Sequence, residues 1–479
     1  MSLQMGSDKP NKPNIAKTKF ECKYLYRGTC AAILILVSTV IFSLVWLDFV
    51  RVNNQTGHLL GIGNIGMAVG IYGILFFLLG QFIGAFRIGV DRKASLMAAC
   101  VLTAFTVDFI EIFLSLAITG QFRFFVSFLG RYALLFMIQS VILCILLIPM
   151  INIYRKAFPP LRIMEVHGDR KHGLHSKING IEYKYSVVDM IHYTSGIEEI
   201  RKRMNAVDAV LISDIPSHEK NMIQKACVDQ DKRLYFVPKI SDIIVRYSEE
   251  LNVIDTPLFL RRKIGISLWE RFIKRAFDIL ASVVALVILS PVFLITALAI
   301  KLEDGGPVFY RQERLTKNGK RFMLMKFRSM RVDAESDGVA RLSSGEDDPR
   351  ITSVGRFLRK CRLDELPQLI NILLGHMSLC GPRPERPEIA AQYEQILPEF
   401  NLRLQAKAGL TGYAQVYGKY NTTPYDKLLM DLVYIAHPSL LEDVRILFAT
   451  VKVLFIPEST EGIRPGQETA IPDIGKRED

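Results

Sequence analysis

The feature that most constrains this chain is an apolar segment near its middle whose two ends are both basic. After Arg275 the sequence reads AFDILASVVALVILSPVFLITALAI before it reaches Lys301, which is long enough for a membrane-crossing helix. Basic residues tend to stay on the cytoplasmic side of a membrane, so two basic ends conflict with a simple crossing. We therefore expect a re-entrant hairpin at 274–301 that enters the bilayer, breaks at Ser290-Pro291 and returns. The alternative is a fifth span with a proline kink.

The proposed break has a chemical basis in these two residues. Pro291 lacks the backbone N–H that would continue the helix. The Ser290 hydroxyl can satisfy the carbonyl that the proline leaves free, which lipid cannot do. The choice between hairpin and span decides which side of the membrane the rest of the chain occupies.

Four further apolar stretches precede this segment, and each is long enough to cross a membrane. They lie at roughly residues 29–50, 59–86, 94–119 and 126–153. Lys and Arg are frequent before the first stretch, in the second turn and after the fourth stretch, and they are rarer in the first and third turns. This asymmetry predicts a four-helix transmembrane bundle at 26–156 with both ends in the cytoplasm.

Two acidic residues, Asp108 and Glu111, lie inside the third stretch. Ionisable residues within a membrane are functional candidates by default. The more ordinary interpretation is that they pair with Arg131 of the fourth stretch inside the bundle. The sequence leaves both interpretations open.

Residues 157–260 alternate short strand-like pieces with helical ones, which is typical of a small parallel, Rossmann-like α/β domain. The predicted strands are 162–166, 209–213 and 233–238. No glycine-rich phosphate loop follows the first strand, so we expect scaffolding, regulation or oligomerisation here, including a homodimer, rather than nucleotide binding.

The overall composition narrows the possible partners. The net charge is +12, but the basic residues cluster beside the apolar segments and lack the pattern of a nucleic-acid binder. They suit an anionic membrane surface and a phosphorylated substrate. The seven cysteines have no CxxC spacing, so neither a zinc site nor a disulfide framework is indicated. The polar ends predict a disordered N-terminus at 1–25 and a flexible tail at 461–479.

The chemistry is expected in residues 265–460, and its sharpest element is the acidic pair Asp364 and Glu365. Pro367 and the apolar residues after it predict a helix that starts just beyond the pair and ends on Gly375. The helix dipole would then favour the ionised form of both carboxylates. Ionised carboxylates can ligate Mg²⁺ or attack an electrophile covalently.

Several cations surround this acidic pair in sequence. Arg359 precedes it, Arg383 follows it in a Gly-Pro-Arg-Pro turn, and Lys326 and Arg328 come from Met325-Lys-Phe-Arg-Ser-Met330. Arginine binds phosphate oxygens in bidentate fashion, so acids among fixed cations suit phosphoryl transfer. A basic surface lying on anionic lipid would explain scattered cations, but it explains Gly-Pro-Arg-Pro poorly.

At this point a series of motifs resembles a known family. The motifs are Lys274-Arg-Ala-Phe-Asp278, Gly306-Pro-Val-Phe-Tyr-Arg-Gln312, Met325–Met330, Asp348-Pro-Arg-Ile-Thr352, Gly355-Arg-Phe-Leu-Arg359, Leu363-Asp-Glu-Leu-Pro-Gln368, Met377-Ser378 and Gly381-Pro-Arg-Pro384. In this order they resemble the bacterial sugar transferases, that is, the polyisoprenyl-phosphate hexose-1-phosphate transferases or monotopic phosphoglycosyl transferases. The match covers about 271–456, and the bundle with its α/β domain resembles the long form of that family.

The resemblance implies an activity. Such enzymes transfer sugar-1-phosphate from a UDP-sugar to undecaprenyl phosphate and release UMP, at the cytoplasmic face of the bacterial inner membrane. The product would enter exopolysaccharide, capsule or O-antigen synthesis. The sugar itself stays open among glucose, galactose and N-acetylated hexoses.

The resemblance also implies roles for individual residues. Asp364 would be the nucleophile of a two-step covalent mechanism that needs Mg²⁺. Glu365 would be its partner, either as a metal ligand together with Asp364 or as a positioning group. Arg359 and Arg383 would hold phosphate. The Ser290-Pro291 break matches the family's re-entrant helix, and Lys274 and Arg275 would lie at the lipid headgroups.

Two departures from the family pattern are His376 before Met-Ser and Ala408 before Gly-Leu-Thr-Gly, which bear on local shape and sugar preference. Two other functions compete with the enzyme: a non-catalytic scaffold or sensor, and a multi-span transporter. The last amphipathic stretch, 428–455, fits either a helix flat on the membrane or a core helix.

Overall fold

The computed structural model describes residues 15–53, 62–168, 174, 178, 181–261, 267–334, 348–418 and 422–454. The predicted tail at 461–479 lies outside these described residues. The described chain is mostly helical with small sheets, and it divides into two compact units, Met1–Val237 and Pro238–Asp479.

The first unit begins with four long helices. They are α1 (Ile15–Asn53), α2 (Ile62–Ile83), α3 (Lys93–Thr119) and α4 (Phe125–Ala157). Each is long and apolar enough to cross a membrane. Their shared core is aromatic, with the rings of Phe42 and Tyr72 stacked 4.2 Å apart between centroids.

Helix α1 starts earlier than predicted, so residues 15–25 are helical rather than disordered. Lys23, within this stretch, lies 5.7 Å from the centroid of the Phe158 ring directly after α4, and the two residues that follow the stretch also contact the end of α4. Arg27 donates a hydrogen bond to the Tyr154 hydroxyl at 2.9 Å, and Tyr26 donates one to the Met150 carbonyl at 2.8 Å.

The expected pairing of the intramembrane acids with Arg131 is wrong. Arg131 forms its ion pair with Asp48 at 2.6 Å, because the end of α1 lies beside the start of α4. The Asp108 carboxyl contacts the Tyr72 hydroxyl instead.

The rest of the first unit is a parallel sheet with helical connections, as predicted. Its elements are β1 (Leu161–His167), β2 (Tyr185–His192), α5 (Ile197–Met204), β3 (Ala209–Ser213), α6 (Ser217–Asp229) and β4 (Arg233–Phe236). The strand order is β2-β1-β3-β4, and every pairing is parallel. All three predicted strands are present. The sequence reading missed β2, a partly exposed edge strand with few buried residues.

The second unit begins before the predicted domain boundary at residue 260. It includes helix α7 (Ile240–Arg246) and the hairpin of β5 (Glu249–Val253) and β6 (Thr256–Leu260). The physical reason is that Ile243 of α7 is buried in the core of this unit.

Helix α8 (Leu268–Asp304) contains the central apolar segment, and the chain is helical on both sides of Pro291, which lies inside it. The predicted re-entrant course of this helix stays a prediction. The Ser290 hydroxyl donates to the Val287 carbonyl at 2.8 Å. In a helix the backbone N–H of residue 291 would donate to this carbonyl, but Pro291 has no N–H. The predicted role of Ser290 is therefore confirmed, and it helps the helix to continue through the proline.

The two faces of α8 differ. The less exposed positions recur every three or four residues along the helix, so they form one stripe against the core of this unit. They include Asp278, Ser282, Ala285, Phe293, Thr296 and Ile300. Large apolar side chains on the other face are exposed, namely Leu280, Val287, Ile288, Leu294, Ile295 and Leu298.

The remaining elements follow α8. They are β7 (Phe309–Leu315), β8 (Arg321–Phe327), α9 (Ser353–Lys360), α10 (Gln368–Leu373), β9 (Ser378–Cys380), α11 (Pro387–Ile396), β10 (Gly409–Thr411), α12 (Tyr413–Tyr417), α13 (Pro424–Ala436) and α14 (Leu440–Leu454). Strands β7 and β8 are antiparallel, and β9 pairs in parallel with β10. Leu428 of α13 and Ile446 of α14 are fully buried, so these helices belong to the core.

Candidate active site

Asp364 and Glu365, here called the carboxylate pair, lie in a short 3-10 turn between α9 and α10. The residue before this turn, Arg362, has a left-handed backbone with φ of 54°, a conformation that non-glycine residues seldom adopt outside functional or strained sites. Pro367 stands at the N-terminal boundary of α10. The pair therefore precedes a helix start, as predicted, with side chains only 10% and 13% exposed.

Two cations converge on one oxygen atom of the pair. Lys326 Nζ of β8 lies 2.8 Å from Glu365 Oε1, and Arg383 Nη2 lies 2.9 Å from the same oxygen. Lys326 Nζ is also 3.7 Å from Asp364 Oδ2. Charge-assisted contacts of this length are stronger than neutral hydrogen bonds.

The surroundings give the two carboxyl groups different acidities. Burial raises the pKa of Asp364 above its usual value, and the positive charge of Lys326 only partly opposes this shift. Burial acts on Glu365 in the same direction, but Arg383 and Lys326 outweigh it and hold the pKa of Glu365 well below its usual range. The expectation was that the helix dipole favours the ionised form of both carboxylates. The cations favour that form at Glu365, whereas burial opposes it at Asp364. Two neighbouring acids whose pKa values are shifted in opposite directions are suited to different chemical roles.

Lys326 is positioned by a side chain that sequence analysis missed. The buried Asn371 of α10 accepts a hydrogen bond from Met325 N at 2.9 Å and donates one to the Met323 carbonyl at 2.8 Å. The amide thus attaches strand β8 to the helix that follows the carboxylate pair. An asparagine within an apolar helix was the available signal, since a buried amide needs partners.

Arg383 is carried by the turn Gly381–Pro384, which follows β9. A side chain at Gly381 would place its Cβ 2.3 Å from the Lys407 carbonyl, so only glycine fits this approach. Arg403 supports the turn by donating to the Arg383 carbonyl at 2.8 Å. Arg403 is itself held by Asp431 at 2.8 Å, and both residues are buried. Sequence analysis missed these two supporting residues, which look like ordinary surface charges in the sequence.

The other two predicted phosphate-binding cations have different placements. Arg359 lies in the last turn of α9, and its positive charge is among those that oppose the raised pKa of Asp364. Arg328 is buried and forms its ion pair with Asp304 at the end of α8. Within the described residues Arg328 makes no ion pair with the carboxylate pair, so the structure gives it a structural partner instead.

The basic residues at the start of α8 contact other elements of the same unit. Arg275 donates to the carbonyls of Ile372 at 2.6 Å and Leu373 at 2.7 Å. It thereby caps the C-terminal end of α10, where a positive charge is favourable. Lys274 forms an ion pair with Asp443 and lies 3.2 Å from the Tyr434 hydroxyl. Both side chains therefore bind protein groups, and their expected position at the lipid headgroups stays a prediction.

The carboxylate pair retains capacity for a further ligand. Asp364 Oδ1 and Glu365 Oε2 have no hydrogen bond or ion pair among the described residues. Mg²⁺ in phosphate-transfer sites is commonly held by one or two carboxylates together with substrate phosphates and water. No group of three or more His, Cys, Asp or Glu side chains able to hold a metal is found in the described parts of the chain, so the donor set fits Mg²⁺ only together with substrate.

This geometry can be compared with known proteins. The profile of the bacterial sugar transferase family matches residues 269–457. The exopolysaccharide production protein PSS of Rhizobium leguminosarum bv. phaseoli is 43% identical over 199 residues, which are 40% of this chain and 96% of that protein. The chain belongs to the bacterial sugar transferase family. The resemblance of the ordered motifs to this family is thus confirmed.

Longer proteins with similar sequences are transferases by name. The UDP-glucose:undecaprenyl-phosphate glucose-1-phosphate transferase of Escherichia coli is 42% identical over 42% of this chain and 44% of its own length. The UDP-N-acetylgalactosamine-undecaprenyl-phosphate N-acetylgalactosaminephosphotransferase of Aeromonas hydrophila is 42% identical over 38% of this chain and 44% of its own. The chain thus spans less than half the length of these two transferases. The residues that match the family profile, 269–457, contain the whole carboxylate-pair site.

Proposed function

We propose that this protein transfers sugar-1-phosphate from a UDP-sugar to undecaprenyl phosphate and releases UMP, at the cytoplasmic face of the bacterial inner membrane. Its membership of the bacterial sugar transferases supports the reaction class, and two relatives carry this reaction in their names, with glucose in one and N-acetylgalactosamine in the other. Because those sugars differ, a panel of UDP-sugars assayed with undecaprenyl phosphate is needed to identify the donor.

The observation that carries the proposal is the unequal environment of the carboxylate pair. Glu365 is bound to two cations through one oxygen, whereas Asp364 has an oxygen without a partner and a pKa that burial raises. A carboxylate that is poorly stabilised by its surroundings is the better nucleophile of the two. Asp364 is therefore assigned the covalent role.

The reaction consists of two successive displacements at one phosphorus atom. An Asp364 oxygen attacks the phosphorus that bears the sugar, and the bond to the UMP oxygen breaks, so UMP leaves with the electron pair. A phosphate oxygen of undecaprenyl phosphate then attacks the same phosphorus and displaces the carboxylate. The products are the lipid-linked diphosphate sugar and the regenerated aspartate.

The surrounding residues supply charge and position rather than bonds, as is usual in phosphoryl transfer. Arg383 and Arg359 are assigned to phosphate oxygens, and Lys326 holds Glu365 in place beside the nucleophile. Mg²⁺, when bound by the unpartnered oxygens of the pair, would neutralise charge that develops on the phosphates.

The proposal also includes a membrane arrangement. Helices α1–α4 cross the bilayer, whereas α8 lies immersed from one side with its exposed apolar face in lipid. Both ends of α8 contact the same unit: Arg275 binds α10, and Asp304 binds Arg328 after β8. A helix that crossed the membrane would separate its ends by the bilayer thickness of about 30 Å. The basic flanks of α8 support the same one-sided placement.

The experiment that tests the function uses Asp364→Asn in the full chain. This variant should lose UMP release by about 10⁴-fold or more, because removal of a nucleophile abolishes the covalent step. Asp255→Asn, on an exposed hairpin turn of the same unit, is the matched control and should keep full activity. Wild-type protein given UDP-sugar without lipid should show a sugar-phosphate adduct on Asp364 by mass spectrometry. Near-normal turnover in Asp364→Asn would disprove the covalent route.

A further inference from the structure

A group of polar side chains lies buried in the aromatic core of helices α1–α4. It lies outside the residues that match the family profile, and the proposed reaction does not use it. It comprises Tyr72 of α2, Asp108 and Glu111 of α3, and Gln139 of α4. Tyr72, Glu111 and Gln139 are 0% exposed and Asp108 is 3% exposed. Polar groups buried at such depth normally have hydrogen-bond partners.

Three of these side chains form one chain of hydrogen bonds that joins all four helices. The Gln139 amide nitrogen donates to the Ser38 carbonyl of α1 at 3.0 Å. Gln139 Oε1 lies 3.0 Å from the Tyr72 hydroxyl. The same hydroxyl lies 3.0 Å from Asp108 Oδ1.

The number of available protons determines the state of Asp108. The backbone carbonyl of Ser38 accepts only, so the Gln139 nitrogen must face it and the Gln139 oxygen must face Tyr72. The Tyr72 hydroxyl has one proton, and it lies beside two oxygens, Gln139 Oε1 and Asp108 Oδ1. If Asp108 were ionised, both oxygens could only accept hydrogen bonds. Both contacts are hydrogen bonds only if Asp108 supplies a second proton and donates to the Tyr72 oxygen. Two separate hydrogen bonds at the Tyr72 hydroxyl thus require a proton on Asp108.

Glu111 leads to the same conclusion by a different observation. Both of its carboxyl oxygens are buried and have no hydrogen-bond partner. It lies three residues after Asp108, on the same face of α3. Arg131, the cation expected to neutralise these acids, is bound to Asp48. An ionised carboxylate without a partner in an apolar core is far more costly than its neutral form.

The other groups that face the acids are neutral. The Tyr132 hydroxyl of α4 interacts electrostatically with both carboxyl groups and is hydrogen-bonded to Ser115 of α3 at 2.6 Å. On α1, Ser38 Oγ and Trp46 Nε1 are buried and have no hydrogen-bond partner. None of the described Lys or Arg residues forms an ion pair with either acid.

We propose that Asp108 and Glu111 form a proton-binding site in the centre of the helix bundle, with one proton on each carboxyl group at neutral pH. The ligand is the hydrogen ion itself. The proton on Asp108 completes the hydrogen-bond chain from α3 through α2 and α4 to α1, so its presence holds the four helices in register.

Infrared spectroscopy of the full chain in lipid vesicles tests this inference without any need for turnover. The readout is the carbonyl stretch of un-ionised carboxylic acids at neutral pH, which carboxylates lack. We expect Glu111→Gln and Asp108→Asn each to remove one such band and the double variant to remove two. Tyr72→Phe should shift the Asp108 band, because its hydrogen bond is lost, and should leave the Glu111 band in place.

A wild-type measurement covers the case in which a variant does not fold. Glutamate labelled with ¹³C at the side-chain carboxyl should shift the band assigned to Glu111, and correspondingly labelled aspartate should shift the band assigned to Asp108. The inference is overturned if these groups show only carboxylate bands. Carboxylate bands that respond to added Na⁺ would instead identify a site for a monovalent cation, and bands indifferent to Na⁺ would identify hydrated carboxylates.

Discussion

The ion pair between Lys274 and Asp443 should control how firmly the strand before Arg383 is held. Lys274 and Asp443 are 16% and 6% exposed. The Lys274 ammonium also lies 3.4 Å from the Cys380 carbonyl, which accepts a second hydrogen bond from the Tyr434 hydroxyl at 3.0 Å. Cys380 is the last residue of β9 and directly precedes the turn that carries Arg383, so this network joins α8 to the active site.

Lys274→Met removes the cation but keeps the length of the side chain. It leaves Asp443 buried and charged without its partner, which typically costs about 3 kcal/mol or more. When β9 recloses faster than its thiol is alkylated, the lost free energy raises the equilibrium constant for local opening of β9. Since about 1.4 kcal/mol corresponds to tenfold, β9 should open roughly 100-fold more often.

The buried thiol of Cys380 reports this opening, because alkylation requires β9 to open. We expect its alkylation rate, followed by mass spectrometry of the intact chain, to rise roughly 100-fold in Lys274→Met. Adding Asp443→Asn to this variant should bring the rate part of the way back, because the unpaired charge is gone.

Two controls accompany this measurement. The exposed Cys361 shows in every sample that the reagent is equally active. Arg321→Met breaks a well-exposed ion pair with Glu313, which is worth little, and should leave the Cys380 rate within about threefold of wild type. If Lys274→Met also stays within about threefold, the ion pair does not hold β9 and the reasoning is refuted.

Three further predictions follow from the site. The turnover rate should fall with decreasing pH already above the usual pKa of an aspartate, because burial raises the pKa of Asp364 and the protonated acid cannot attack; a kcat profile that stays flat down to that usual value would contradict this. The same raised pKa means that ionisation of Asp364 opposes folding, so stability should gain from the same protonation that removes activity. Arg403→Met should lower the free energy of unfolding by about 3 kcal/mol in denaturant titrations, because it leaves Asp431 buried and unpaired, and an unchanged unfolding midpoint would count against this role. Removal of divalent cations with EDTA should abolish UMP release and added Mg²⁺ should restore it, whereas full turnover in EDTA would exclude the metal.

The meeting of the carboxylate pair with Lys326 and Arg383 could be predicted from the sequence because these residue types are unusual in combination. Two adjacent acids stand before a proline and a helix, and Gly-Pro-Arg-Pro follows. A purely structural role explains this combination poorly, whereas a phosphate-binding site explains it well. The partners of individual cations could not be predicted in the same way. Arg328 and Lys326 are two residues apart on one segment, yet one binds Asp304 and the other binds Glu365. Their partners depend on which elements pack against each side of β8, which is a tertiary property.

The sequence likewise did not predict which face of α8 packs against the protein. A helix that is apolar all round has no polar face to indicate which side contacts protein and which contacts lipid. The small polar residues Ser282 and Thr296 were the available signal, since both lie on the buried stripe. Ser290 next to Pro291 was a readable signal, because its hydroxyl donates to the Val287 carbonyl that the proline leaves free.

The meeting of Lys326 and Arg383 at a single oxygen of Glu365 has a consequence for how this site can vary among proteins. One atom sets the spacing between a strand and a turn that are far apart in the chain, so neither can shift without the other. We therefore expect differences in sugar preference to arise in the loops around Glu365, while the distance between Lys326 and Arg383 stays constant.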